Sequence, residues 1–340
     1  MTQDTDTVPG APSETSASAN ALQRVFVIGF PRSGTTWAMY LLTQHPAVVG
    51  AQQTGLFHAL QPLEDWWHRA GGAGRRVVTA DHSGAGEGAF ERRRLADTLG
   101  HDTFYEVARE VADRVFRRVT AVLPSARAVV EQTPENIEFA SLIQRLYPDA
   151  YFLHMVRDPR AVFSSWRKSL QTWAKHNEFV SSPVQVARKW CEYDERGHEL
   201  AAQTERYRLV RYEDLLANGP EMLEELCAWV GLPADRAFCE QAVEACSIDK
   251  MKKNVDAPKG FFRTGRADSW REEVPSSALK IIEHVARDTM ERLGYECVTK
   301  RSARPPARLW AYDTTSRLLA GAKNVVSPEL RRRVKSMLRK

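Results

Sequence analysis

Short apolar runs punctuated by polar turns organise the chain. Arg24-Val25-Phe26-Val27-Ile28 is apolar and β-branched, as a buried parallel strand requires, and Trp37 to Gln44 is an apolar-rich stretch stopped by His45-Pro46, which predicts a helix. Ala128-Val129-Val130 and Tyr207 to Arg211 are further short runs, and Tyr151-Phe152-Leu153-His154-Met155-Val156 predicts a second buried strand. After it, Asp158 followed by Pro159 reads as a helix N-cap with proline at the first helical position. No internal repeat is present. Strands followed by glycine turns and helices predict an α/β protein with its ligand at the carboxyl ends of the strands.

Composition narrows the class. With 340 residues the chain suits one large domain or a domain with additions. No apolar run approaches the roughly 18 residues of a membrane span, and the N-terminus lacks a basic-then-apolar leader pattern. The five cysteines show no close-paired metal spacing, and their odd number fits reduced thiols, so a cytoplasmic protein is expected. Residues 1–20, rich in Thr, Ser, Ala and Pro, are expected to be disordered, leaving a domain over 21–300. The Gly-rich, charged stretch from Gly71 to Arg94 reads as a long loop or cap insertion.

Charge is uneven. The net charge is +5, yet residues 301–340 hold eleven Lys/Arg against two acids. From Pro328 to Lys340, Leu330, Val334, Met337 and Leu338 recur at helical spacing among basic residues, which predicts a basic helical tail. Such a tail is either a solvated or docked terminal helix or a weak contact for an anionic membrane surface or acidic partner. Nothing aromatic and glycine-rich accompanies the charge, so nucleic acid is not expected as a partner.

Candidate chemistry centres on Gly29-Phe30-Pro31-Arg32-Ser33-Gly34-Thr35-Thr36-Trp37. The two glycines keep the spacing of a nucleoside-triphosphate loop, but Thr35 stands where that loop needs its lysine. The loop lies between a strand and a helix N-terminus, the order an anion site requires, so the alternatives are a plain turn and a site for an anion that needs neither γ-phosphate contacts nor a metal.

Pro31-Arg32-Ser33-Gly34-Thr35-Thr36-Trp37 resembles the loop by which sulfotransferases hold the 5′-phosphosulfate end of 3′-phosphoadenosine 5′-phosphosulfate (PAPS). His154 to Ser165 is similar to that family's strand-turn-helix element for the 3′-phosphate, with Arg157 and Ser165 eight residues apart. Cys246 to Asn254, which includes Ser247, resembles the adenine-side segment. Phe262-Arg263-Thr264-Gly265 and the residues to Arg271 resemble the loop that closes on the 3′-phosphate, and Tyr212-Glu213-Asp214-Leu215 is a fifth match. Together these span roughly residues 24 to 272.

The resemblance implies a P-loop-like α/β fold, a parallel sheet flanked by helices on both faces in a three-layer sandwich. It implies transfer of a sulfuryl group from PAPS, without a metal, to a hydroxyl or amine of a small-molecule, glycan or lipid acceptor. Arg32 takes the leaving-group role, where many relatives have lysine. Ser33, Gly34, Thr35 and Thr36 hold the 5′-phosphate, and Trp37 stacks on adenine. Arg157, Ser165, Arg263, Thr264 and Gly265 serve the 3′-phosphate, with Tyr212 and Ser247 completing the site. On the residues alone, Arg157 is also explained as a surface arginine paired with Asp158, and Trp37 as ordinary core. Glutamine occupies both of the family's usual positions for the general base, Gln132 and Gln53. The nearby ionisable residues are Glu131 and His58; the other explanation is an acceptor acidic enough to need little help. A nucleotide kinase and a PAPS- or PAP-binding protein without catalysis are the competing readings.

Overall fold

A computed structural model of the chain describes residues 22–68, 100–172, 182–262, 265–302 and 306. The segment 1–20, the Gly71 to Arg94 stretch, nearly all of 301–340, and Arg263 and Thr264 lie outside the described residues.

Five strands form one sheet: β1 (Gln23–Ile28), β2 (Val48–Gln52), β3 (Ala128–Gln132), β4 (Tyr151–Val156) and β5 (Tyr207–Arg211), in the order β2-β3-β1-β4-β5. β3 runs parallel to both neighbours, with Ala128 opposite Gln23 on β1 and opposite Val48 on β2. The four runs read from the sequence fall in β1, β3, β4 and β5, while β2 was not read. The apolar run in β1 has both faces covered: Val25, Phe26, Val27 and Ile28 are each at most 1% exposed.

Twelve α-helices flank the sheet among the described residues: α1 (Thr35–Leu42), α2 (Leu56–His68), α3 (Thr103–Thr120), α4 (Ala140–Leu146), α5 (Pro159–Gln171) and α6 (Pro183–Ala201), then α7 (Tyr212–Ala217), α8 (Gly219–Trp229), α9 (Arg236–Ala245), α10 (Ile248–Asn254), α11 (Trp270–Glu273) and α12 (Ser276–Arg292). α5 starts as its sequence requires. Pro159 fills the first helical position and the Asp158 side chain accepts from the Arg160 amide.

Packing divides the chain into two units. One contains the first strand to Val27 with Thr36–Leu153 and Pro220–Ala242; the other contains Ile28–Thr35, His154–Gly219 and the chain from Val243. In the first, Phe26 anchors an aromatic core, edge-on to Phe57 and Phe116 at 5.5 and 6.2 Å and stacked on Phe152 at 5.7 Å. Burying each such ring contributes about 1.5 to 3 kcal/mol. In the second, α12 packs along α6, and Trp190 and Tyr193 of α6 are fully enclosed, Tyr193 meeting the Phe30 ring edge-on at 5.2 Å.

His154 is the buried titratable group on β4. It is 1% exposed, and its Nδ1 shares a 2.7 Å hydrogen bond with the Tyr207 hydroxyl. Burial lowers its pKa from 6.5 to about 3. Below pH 6.5 the unfolded chain therefore takes up a proton that the folded chain refuses, so this group makes stability fall with falling pH down to about 3, by at most about 1.4 kcal/mol per pH unit. His154→Leu is expected to flatten the dependence of unfolding free energy between pH 6 and 4 by about 1 kcal/mol per unit. Urea unfolding at stepped pH measures this, and an unchanged slope refutes the assignment.

Candidate functional site

The loop after β1 is built by two close approaches. Gly29 has φ +138°, and a Cβ there would run into the Met155 carbonyl oxygen of β4. Gly34 has φ +90°, and a Cβ there would lie 2.5 Å from Cδ2 of Tyr212. Only glycine satisfies both demands at either position, which explains the spacing read from the sequence. Between them Arg32 adopts φ +79°, a left-handed conformation uncommon for a residue with a side chain. The Ser33 amide closes the turn onto the Phe30 carbonyl at 3.2 Å. The Ser33 hydroxyl is fully buried and makes no hydrogen bond, an orphan that a ligand oxygen would satisfy. Thr35 is buried and Thr36 half-buried in the first turn of α1, where the amides have no intrahelical partners, and Trp37 beside them is half-buried.

Arg157 follows β4, the strand beside β1 in the sheet. Its guanidinium lies over the Tyr212 ring, 4.2 Å from the centroid, and donates to the carbonyls of Arg32 at 3.4 Å and Arg266 at 3.3 Å. These partners are neutral, and no carboxylate among the described residues reaches Arg157. Asp158 turns instead to Arg160, so the surface pairing of Arg157 with Asp158 does not form. The backbone of the same turn is held on both sides: Trp190 Nε1 donates to the Arg157 carbonyl at 3.0 Å, and the Asp158 amide donates to Glu213 at 3.1 Å.

Arg32 reaches toward the same neighbourhood. Its Nε donates to the Ser165 hydroxyl at 3.0 Å and Nη2 to the Phe261 carbonyl at 2.8 Å, with the Phe261 ring 4.9 Å from the guanidinium carbon. Thus the loop arginine, the Ser165 hydroxyl and the chain just before the closing loop meet. Gly265, at φ +67°, packs against Ile248 in the first turn of α10, one residue from Ser247. The structure therefore brings together Arg32, Ser33, Gly34, Arg157, Ser165 and Tyr212, with Gly265 beside the Ser247 segment; Arg263 and Thr264 are outside the described residues. Sequence reasoning missed Trp190 and Phe261, and it quoted Glu213 within the fifth matched segment without giving it a role. Phe261 adjoins a quoted motif residue, but Trp190 carries no signal that separates it from helix core.

The two candidate proton acceptors sit in the first unit. Glu131, at the end of β3, is 1% exposed. Its Oε1 accepts from the Thr54 hydroxyl at 2.8 Å, the Thr54 amide at 3.3 Å and the Thr133 hydroxyl at 2.6 Å, while Oε2 accepts from Asn136 at 2.6 Å. Burial pushes its pKa up, and the hydrogen bonds from Thr133 and Thr54 offset part of that rise. His58 is exposed on α2, edge-on to Phe139 at 5.5 Å. It lies close enough to Glu135 for its charge to oppose the burial that raises that carboxyl. The two glutamines are neighbours: the Gln53 amide, on a residue at φ +49°, donates to the Gln132 carbonyl at 2.8 Å.

Comparison with known proteins follows this geometry. The family model described as Sulfotransferase family matches residues 24–236. A protein-tyrosine sulfotransferase of Drosophila melanogaster is 22% identical over 303 residues, covering 87% of this chain and 56% of that relative. Nodulation protein NoeE of Sinorhizobium fredii is 25% identical over 296 residues, covering 80% of this chain and 65% of that protein. The chain thus spans just over half to about two thirds of these relatives. In fold it is similar to the sulfotransferase domain from the curacin biosynthetic pathway, with TM-score 0.51 and 17% identity across 82% of this chain and 99% of that one. Matched over more than half its length, the chain belongs to the sulfotransferase family.

Proposed function

We propose that the chain moves a sulfuryl group from PAPS to a hydroxyl or amine of a small-molecule or glycan acceptor, releasing 3′-phosphoadenosine 5′-phosphate (PAP). The observation that carries this reading is Arg157, a half-buried guanidinium held on a tyrosine face and two carbonyls with no neutralising carboxylate among the described residues. A cation so placed beside a glycine loop lacks only an anion. In this reading Arg157 and Ser165 take the 3′-phosphate, and Ser33 to Thr36 take the 5′-phosphate. The orphan Ser33 hydroxyl supports the fit.

The donor supplies the sulfuryl group: the acceptor atom bonds to sulfur as the bond from sulfur to the 5′-phosphate oxygen breaks, and that oxygen keeps the electron pair. Arg32 neutralises the charge gathering on the leaving phosphate. Its fork suits an oxyanion bidentately, as a lysine in its place would not. The acceptor proton needs a destination. Of the two ionisable candidates we infer that His58 is the more available to take a proton, since it is exposed, whereas Glu131 is enclosed by four donated hydrogen bonds. An acidic acceptor is the other route. The Drosophila relative is named for protein tyrosine, a phenol with pKa near 10.

Three outcomes test this function. PAP, but not ATP, is expected to raise the melting temperature, and labelled PAPS with an acceptor is expected to yield sulfated product. Stabilisation by ATP alone would favour a kinase, and stabilisation by PAP without transfer to any acceptor would favour a binding protein.

Arg157→Ala is expected to weaken PAP binding by roughly 2 to 4 kcal/mol while leaving adenosine 5′-phosphosulfate, which lacks the 3′-phosphate, nearly unaffected. Equal losses for the two ligands would remove Arg157 from the 3′-phosphate.

His58→Ala is expected to cut turnover of an aliphatic alcohol by about 10²- to 10⁴-fold with PAP affinity intact, and to cost much less with a phenol. Full activity of this variant on the alcohol would sink the assignment. Glu131→Gln sets an amide against the donors of Thr54, Thr133 and Asn136, so its expected effect is a lower melting temperature.

A further inference from the structure

Arg160 is 3% exposed and is the second residue of α5, three residues after Arg157. Its Nε and Nη2 grip both oxygens of Asp158, at 2.9 and 2.7 Å. Its Nη1 donates to Glu283, a fully buried carboxylate of α12, at 2.6 Å and to the Glu296 carbonyl at 2.9 Å. The flat face of the guanidinium is stacked on the Trp270 ring, 3.7 Å from its centroid. Glu283 is filled from its other side by the Thr299 amide and hydroxyl, at 2.7 and 2.6 Å, and by the Val298 amide at 3.0 Å.

A desolvated ion network of this kind is a poor device for stability alone, since well-packed apolar groups of the same volume do as well or better. It is a good device for direction, because a planar fork held through Nε, Nη1 and Nη2 at once has one orientation. Both ends of the network lead to Arg157. Through Asp158, which also caps α5, Arg160 fixes the turn from which Arg157 springs. Through Trp270, at the start of α11, it fixes the end of the segment whose Arg266 carbonyl receives Arg157 Nη2. The root and one of the anchor points of the same guanidinium thus depend on a single buried side chain that touches neither loop glycine nor any group assigned to the donor.

We propose that Arg160 is a positioning residue for recognition of a 3′-phosphorylated nucleotide, holding Arg157 and the 265–270 segment in the relative arrangement that separates PAP from a nucleotide without the 3′-phosphate. This rests on the function proposed above.

The test is calorimetric binding of PAP and of AMP to the whole protein, wild type against Arg160→Lys and Trp270→Leu. Lysine keeps the charge but loses the fork and the flat face, so any long-range attraction between residue 160 and a phosphate persists. For Arg160→Lys the expected result is loss of PAP affinity by about tenfold or more, the scale seen when supporting partners of ligand-holding groups are removed, with AMP affinity within about twofold of wild type. A purely structural role lowers melting temperature but moves the two ligands together. Trp270→Leu leaves the ion pairs intact and is expected to show the same PAP-selective loss, so it carries the test even where Arg160→Lys does not fold. An unchanged PAP-to-AMP ratio in the folded variants overturns the positioning role. A wild type that does not prefer PAP to AMP overturns the functional reading instead, and the two failures are told apart by that one measurement.

Discussion

The close approach of the β1 loop to the Tyr212 ring is the constraint on which the site depends. At Gly34 no side-chain atom fits between backbone and ring, so the loop is drawn against a rigid aromatic surface. The same ring carries the Arg157 guanidinium. One side chain therefore sets both the height of the loop and the seat of the cation, and the two share a common reference. A π face is well suited to the second task, because it attracts a guanidinium without cancelling its charge.

Charge is treated in opposite ways at two arginines three residues apart. Arg160 is enclosed by Asp158 and Glu283 and is neutralised. Arg157 is given carbonyls and a ring and is not. The aspartate between them in the turn decides the division: by pairing inward with Arg160 it leaves Arg157 its full charge. Reversing that choice would produce an ordinary surface ion pair and remove the cap that Asp158 gives α5.

Much of this was legible in the chain because the signals were local. The strand at residues 24–28, the glycine loop and the Asp158-Pro159 helix start are all dictated within a dozen positions. Tyr212 was visible only as the last of five matched segments, because its importance comes from the Gly34 contact, 178 positions away in sequence. The roles of Trp190 and Glu213, which hold the backbone of the 157–158 turn, were not readable for the same reason: a tryptophan on a helix and a glutamate after a strand are ordinary until the fold places a carbonyl and an amide before them. Glu131 illustrates the converse. Its position at a strand end marked it as ionisable and near the expected base, but its four hydrogen bonds from Thr54, Thr133 and Asn136 depend on how the ends of β2 and β3 lie together.

The left-handed backbone at Arg32 has an energetic consequence for the loop itself. A conformation of this kind costs of order 1 to 3 kcal/mol for a residue with a side chain. That cost is a subtraction from folding stability. A glycine at the position would give a more stable loop, while a valine, whose branched Cβ tolerates this region least, would give a less stable one. The loop thus holds a local strain that the packing around it has to offset.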